Sequence, residues 1–186
     1  MKREKFIIGI LSLFPFIATA KKLKNMLREN KGFKVNSGEG RFNEHIKLRG
    51  VTVNLLDIKI SSKDTDGDLT VIEQTGVTPK GGPPLHLHNS QDEIFYIIEG
   101  EYLFQVGGEK FQMKAGDTIF LPRKVPHAFI QLSEKAKMHL TFQPAGKMED
   151  FFKKVASMTT PPTQQDMAKI FEDHDMKLVG PPLKID

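Results

Sequence analysis

The chain has 186 residues, of which 39% are hydrophobic and 27% charged, a composition typical of a globular protein with one sizeable core. It contains no cysteine, which excludes disulfides, thiolate metal sites and a cysteine nucleophile. The net charge of +4 is uneven, because nine basic and two acidic residues fall within 1–34 and the remainder is mildly acidic. That distribution argues against a nucleic-acid-binding domain, whose basic residues should lie on the fold itself.

Residues 1–20 have the organisation of a signal segment. A basic start precedes an apolar run of 13 residues, and Ala18-Thr19-Ala20 has the small-x-small pattern of a cleavage site. We therefore expect an exported, periplasmic protein; an amphipathic helix on a cytoplasmic protein is the alternative. The run is shorter than the roughly 20 residues that span a bilayer, so no stable membrane span is expected. Residues 21–44 are basic and predict a helix or linker.

Residues 45–145 show the pattern of short strands separated by turns. Strands are expected over 51–60, 69–78, 101–106, 109–113, 118–121, 127–132 and 137–143. A Gly-Gly pair between the third and fourth of these predicts a tight hairpin turn. Many short strands with turns at close intervals indicate an all-β sandwich or barrel.

Residues 146–186 return to helical spacing. Helices are expected over 148–158 and 164–174, separated by a proline pair, with Thr163 as the cap of the second. Neither helix is long enough to build a core of its own. We therefore expect a helical extension that packs on the barrel, followed by an extended end.

Two histidines and a carboxylate stand close together within residues 81–100. His86 and His88 are two positions apart, so in a strand their side chains point to the same side. Glu93 follows across a polar turn and could return from the next strand, with Asp92 as the alternative carboxylate. Imidazoles and a carboxylate on a rigid backbone suit a transition-metal site. A pair of surface imidazoles is the competing interpretation.

A second segment, 116–131, supplies a further histidine. A glycine turn leads into a strand, a proline ends that strand, and His127 begins the next one. On an adjacent strand of a barrel, His127 could complete the site that the first segment begins. His45, His139 and His174 lie outside both segments and are expected to be structural or surface residues.

The first segment resembles the first motif of the cupin superfamily. His86-x-His88 is followed by four residues, Glu93, six residues and Gly100, as in that motif. The leading glycine is displaced, because its position is occupied by Lys80. The run Gly-Gly-Pro-Pro-Leu-His-x-His, together with a Val-Gly-Pro-Pro-Leu ending, is similar to single-domain quercetin-dioxygenase-like cupins.

The second segment resembles the second cupin motif. Gly116, Pro122 and His127 fall in register with it. Lys124 replaces a glycine of the motif and Gln131 replaces its asparagine. All four positions that hold the metal in the family are kept across the two segments.

The resemblance implies a cupin double-stranded β-helix, or jelly-roll, barrel with flanking N- and C-terminal helices. It also implies one divalent transition metal (iron, manganese, nickel, copper, cobalt or zinc) held by His86, His88, Glu93 and His127. In flavonol-cleaving relatives the glutamate ligand is thought to take the substrate hydroxyl proton, so the resemblance gives Glu93 a catalytic role. A homodimer is expected from family habit.

The pocket beside the site is expected to be apolar, with aromatic walls that suit a small aromatic or enolic ligand. The candidate lining residues are Phe95, Ile97, Phe104, Phe120, Phe129, Gln131 and Phe142. Ordinary core packing is the alternative role for these phenylalanines.

The expected function is that of a metal-binding, dioxygenase-like oxidoreductase acting on a small aromatic or enolisable compound. A non-catalytic small-molecule-binding or regulatory metal cupin is the alternative, favoured by the altered Lys124 and Gln131. A metal-dependent isomerase or lyase is a third hypothesis, since the same ligands support enolisation.

Overall fold

The computed structural model describes residues 31–48 and 54–185. After a 3-10 turn at Arg41–Asn43 its elements are β1 (His45–Lys47), β2 (Asn54–Ile60), β3 (Thr70–Gly76), β4 (Pro84–His88), β5 (Asp92–Glu99), β6 (Glu101–Val106), β7 (Glu109–Lys114), β8 (Thr118–Leu121), β9 (His127–Gln131), β10 (Ala136–Gln143), α1 (Met148–Ala156), α2 (Gln164–Asp173) and β11 (Met176–Pro182). The expected signal segment 1–20, and the first part of the basic segment 21–44, lie outside the described residues.

The strands form two antiparallel sheets. One has the order β1-β2-β3-β10-β5-β8 and the other the order β11-β4-β9-β6-β7. From β4 to β10 the chain repeatedly crosses between the two sheets, which is the connectivity of a jelly roll. The predicted all-β jelly-roll barrel is therefore confirmed.

Successive side chains of a strand point alternately to the inward and the outward face of its sheet, with a period of two. In β3, for example, every second residue is buried, beginning with Thr70. The core that results combines aliphatic side chains with a group of aromatic rings from β5, β6 and β9, of which Phe95, Phe104 and Phe129 contact one another. This core fills one part of the barrel and leaves space beside the histidines.

The two helices and β11 lie against the histidine-bearing part of the second sheet. The Phe171 ring of α2 contacts the His86 ring at 5.4 Å between centroids, and the Phe151 ring of α1 contacts Phe171 at 5.1 Å. Strand β11 pairs antiparallel with β4, so that Met176 opposes His88. The spacing of apolar residues predicted both helices, whereas the extended end was not foreseen as a paired strand.

The start of α2 agrees with the side chains that satisfy its first backbone groups. The predicted cap Thr163 accepts a hydrogen bond from the Asp166 amide, and the Asp166 carboxylate accepts one from the Thr163 amide, completing a capping box. Within 31–48 and 54–185, no helix is long and apolar enough to cross a membrane.

Helix α1 is fixed to the first sheet by a buried carboxylate. Glu149 accepts hydrogen bonds at 3.0 Å from both the Ser61 and the Thr70 hydroxyls, and one from the Ser62 amide. All of these partners come from β3 or from the turn after β2. The Glu149 side chain therefore fixes where the helix begins relative to the barrel.

Candidate metal centre

Three neighbouring strands bring four side chains to one place. His86 and His88 come from β4, Glu93 from β5 and His127 from β9, with His127 directly opposite His86 in the ladder. Each offers one ligand atom, and these four atoms all lie within 4.8 Å of one another. All four residues are buried. The alternative of two surface imidazoles is therefore excluded.

The ligand atoms themselves show that a cation fits this cluster. The Glu93 Oε1 atom lies 2.6 Å from His88 Nε2 and 3.0 Å from His127 Nε2. Despite these short distances, all three atoms are buried without a partner in hydrogen-bond geometry among the described residues. Buried polar atoms without such partners are costly, and a metal that accepts their lone pairs satisfies them together.

The opposite nitrogen of each imidazole is held by an oxygen that can only accept. The Nδ1 atoms lie 2.8 Å from the Pro84 carbonyl for His86, 3.0 Å from the Gln91 side-chain oxygen for His88, and 3.0 Å from the Val125 carbonyl for His127. Each Nδ1 must therefore carry a hydrogen, so that in the neutral imidazole the Nε2 atom keeps a lone pair. That is the tautomer and orientation in which histidine binds a metal.

Gln91 is a functional residue that the sequence did not reveal. Its side chain is buried; the oxygen accepts from His88, and the amide nitrogen donates to the Ala145 carbonyl at 3.2 Å. A Cβ on Gly146 would overlap the Gln91 side chain, so only glycine fits there. Gln91 stands in the turn between His88 and Glu93, where its distance along the sequence from either residue does not indicate this role.

Burial and neighbouring charge set the protonation of the cluster. Burial lowers the pKa of His86 to about 3, and the nearby His127 adds to this effect. Burial opposes ionisation of Glu93, but His88 and His127 outweigh it and hold the pKa of Glu93 well below its usual range. Burial also lowers the pKa of His88, yet the Glu93 charge outweighs it and the pKa is raised on balance. An ionised carboxylate and a neutral His86 are the forms that bind a cation.

Comparison with known proteins identifies the barrel. The family described as a cupin domain matches residues 75–142, which include all four clustered residues. Residues 75–142 therefore form a cupin domain. Among solved structures, KdgF from a Halomonas species superposes with a TM-score of 0.53 at 18% identity, covering 63% of this chain and 99% of that one. An RmlC-like cupin from Shewanella frigidimarina gives 0.52 at 21% identity, covering 67% and 98%. At these identities the likeness concerns the fold alone.

Sequence relatives match this cupin over parts of their own length. An uncharacterized protein of Methanocaldococcus jannaschii is 46% identical over 52 residues, which are 27% of this chain and 42% of that protein. The quercetin 2,3-dioxygenase of Bacillus subtilis is 32% identical over 97 residues, 52% of this chain and 28% of the enzyme. The chain thus spans about half or less of the curated relatives that it matches.

Two lysines occupy positions where the cupin motifs have glycine. Lys124 has a φ of 65° and Lys80 a φ of 63°, both in the left-handed region that favours glycine. The Lys124 amide donates to the His88 carbonyl at 2.7 Å, so this backbone conformation supports the strand that carries two ligands. The loop of the second motif is therefore retained without its glycine.

A cavity of about 1090 Å³ opens from the four clustered residues. Its walls come from the barrel interior, the apolar faces of α1 and α2, and the proline-rich strand β11. Among the described residues that line it, Glu93 is the sole acidic side chain, and none is lysine or arginine. Such walls suit an apolar ligand that is uncharged away from the histidine cluster.

The candidate pocket residues divide into three groups. Phe95, Phe129 and Phe142 line the cavity. Ile97, Phe104 and Gln131 are buried but are not among its lining residues. Gln131, which stands where the motif has asparagine, donates instead to the Ser133 carbonyl at 2.8 Å.

The prediction for Phe120 was wrong, because its side chain is 55% exposed. In the ladder between β5 and β8, Leu121 opposes the inward Glu93, and Phe120 opposes the outward Ile94. The register therefore places Phe120 on the outer face of the sheet.

Other titratable residues near the motifs serve structural contacts. Asp92, the alternative carboxylate ligand, faces away from the cluster and pairs with Arg123 at 2.6 Å. His139 lies on the first sheet beside Glu73 at 3.3 Å, and His45 contacts Asp57 at 2.6 Å. The carboxylate of the cluster is therefore supplied by Glu93.

Sequence reasoning also missed two amides that line the cavity. Asn54 in β2 and Gln74 in β3 are buried, and both face the barrel interior. Gln74 lies on the same face of β3 as Thr70 and Ile72, and the sequence shows this alternation. The sequence does not show which of the two faces is inward, so the role of Gln74 could not be predicted.

Proposed function

We propose that this cupin is a metal-dependent, dioxygenase-like oxidoreductase acting on a small aromatic or enolisable compound. The observation that carries the proposal is the position of the cluster: four buried ligand atoms lie together at the wall of a large cavity without lysine or arginine in its described lining. The partial match to a quercetin 2,3-dioxygenase supports the same chemical class.

His86, His88, Glu93 and His127 would hold one divalent transition metal. A redox-active metal bound there supplies Lewis acidity and electron transfer. The chain's own contribution is to fix the imidazoles through their Nδ1 hydrogen bonds, so that the ligand geometry costs little to assemble.

Glu93 is proposed to accept the hydroxyl proton of the bound substrate. Its Oε1 atom faces the same point as the histidine nitrogens, where a substrate oxygen held at the cluster would come within its reach. The walls formed by Phe95, Phe129 and Phe142 exclude water and orient a flat ring beside that carboxylate. Both atoms of dioxygen end in the organic products, so no external reductant is required.

Oxygen uptake tests this proposal. The metal-free protein is reconstituted separately with Fe²⁺, Mn²⁺, Co²⁺, Ni²⁺, Cu²⁺ and Zn²⁺ and supplied with a panel of flavonols and β-diketones. We expect oxygen consumption equal to substrate loss with at least one redox-active metal, and none with zinc. A matched variant, His139→Ala, should retain the activity, because His139 lies outside the cluster.

Two other results would overturn the proposal in different ways. Binding of these compounds without their conversion under any metal would indicate a non-catalytic metal cupin. Conversion without oxygen uptake would indicate an isomerase or lyase.

A further inference from the structure

The inward residues of the first sheet form three successive layers. On β5, β10 and β3, Glu93 opposes Phe142, which opposes Thr70. The next layer is Phe95, Leu140 and Ile72, and the one after that is Ile97, Met138 and Gln74. The layers thus pass from a carboxylate, through apolar side chains, to an amide.

The cavity reaches from the first of these layers to the third. Glu93 and Phe142, then Phe95 and Leu140, and finally Gln74 all line it. Two layers are four residues along a strand, or about 13 Å at 3.3 Å per residue. A ligand that fills this distance is elongated, and its middle lies against apolar walls.

A buried hydroxyl stands behind the Gln74 amide. Tyr102, on the second sheet, is fully buried, and its hydroxyl approaches the Gln74 side chain. That hydroxyl has no partner in hydrogen-bond geometry within the described residues. Burial raises the pKa of Tyr102, so the group remains a protonated donor. A buried amide facing the cavity, with an unsatisfied hydroxyl behind it, is arranged for a polar group of a ligand.

We infer that the ligand is elongated, largely apolar and uncharged, with a hydroxyl or carbonyl at its far end that hydrogen-bonds to the Gln74 amide. Its near end carries the oxygen that reaches the histidine cluster. Tyr102 does not line the cavity, so the direct contact with the ligand is assigned to Gln74. This inference rests on the proposed function, since it specifies the substrate class of the same site.

A pair of ligands that differ only at the far end tests the inference. The probes are 3-hydroxyflavone and 3,4′-dihydroxyflavone, and binding is measured on zinc-loaded protein, in which no oxidation occurs. We expect the 4′-hydroxyl to tighten binding about five- to tenfold, the gain from one buried hydrogen bond. In Gln74→Leu that ratio should fall to about one, through weaker binding of the dihydroxy compound alone.

A matched variant controls for loss of a buried amide. Gln131→Leu removes the same group from the same part of the barrel, but Gln131 does not line the cavity, so the ratio should be retained. If Gln74→Leu does not fold, Gln74→Met takes its place, and the ratio should again fall to about one, because the amide is removed while the side-chain volume is kept.

Several results would overturn the inference. The first is equal binding of the two probes to the unaltered protein, and the second is an unchanged ratio in Gln74→Leu, or in Gln74→Met where that variant replaces it. The others are an equal loss in Gln131→Leu and binding of neither probe. The predicted discrimination without oxygen uptake in the redox-metal assay would instead contradict only the proposed function.

Discussion

Lys124 shows that a single residue can depart from a cupin motif while the backbone keeps the motif's conformation. Its φ of 65° is the left-handed conformation that a side chain disfavours. The compensation is local, since its amide bonds the carbonyl of His88, a residue of the candidate metal centre. The substitution therefore affects stability more than the shape of the site.

Replacing Lys124 with glycine should stabilise the protein. Removing the Cβ relieves the left-handed strain, and the greater freedom of glycine in the unfolded chain offsets part of the gain, leaving about 0.5–1 kcal/mol. Urea unfolding measures the difference. Lys110→Gly, at an exposed position in β7, should instead destabilise by a similar amount. Destabilisation by Lys124→Gly would show that the side chain makes a contribution that the backbone geometry does not explain.

Residue-level predictions from sequence succeeded where a strand's inward face was already known. Glu93 identified the inward face of β5, so Phe95 and Ile97 on the same face were correctly expected inside the barrel. Phe120 stands on the short strand β8, and its pairing register with β5 decides which of its side chains point inward. That register joins segments distant in sequence, so local spacing does not predict it. Gln74 was missed for the same reason, because the inward face of β3 was not known. Gln91 was missed because its contact with the Ala145 carbonyl joins segments distant in sequence.

At the scale of elements, α1 is held to the barrel by the Glu149 carboxylate. Glu149→Ala should lower the free energy of unfolding by about 2–3 kcal/mol, because two buried hydroxyls and an amide lose their common acceptor. Chemical denaturation checks this value. Asp150→Ala, the exposed neighbour on the same helix, should change it by less than about 1 kcal/mol. Equal effects of the two substitutions would contradict the anchoring role.

Both helices could be predicted from apolar spacing and a cap, because those signals are local. Strand β11 could not, since its two prolines donate no ladder hydrogen bonds and its pairing with β4 joins distant segments. That pairing matters for function, because β11 supplies a wall of the cavity beside the clustered histidines. The sequence therefore predicted the clustering of the four residues better than the cavity around them.

For the whole molecule, metal binding should contribute to stability. The cluster buries three atoms that have no hydrogen-bond partner in the part of the chain that the structure describes. A metal that binds only the folded chain stabilises it by about 2.7 kcal/mol at a hundredfold excess over its Kd. Treatment with a chelator, followed by dialysis, should lower Tm by several degrees, and restoring the metal should reverse the change. A Tm that does not respond to either step would argue against a metal in this cluster.

We propose that one metal ion is held by His86, His88, Glu93 and His127. The metal content of the protein tests this most directly. Elemental analysis of the purified protein should find about one divalent transition metal per chain. His127→Ala should abolish it, because that change removes one of four converging ligands, while His139→Ala should retain it. Unchanged metal content in a folded His127→Ala variant, or an equal loss in His139→Ala, would contradict the assigned centre.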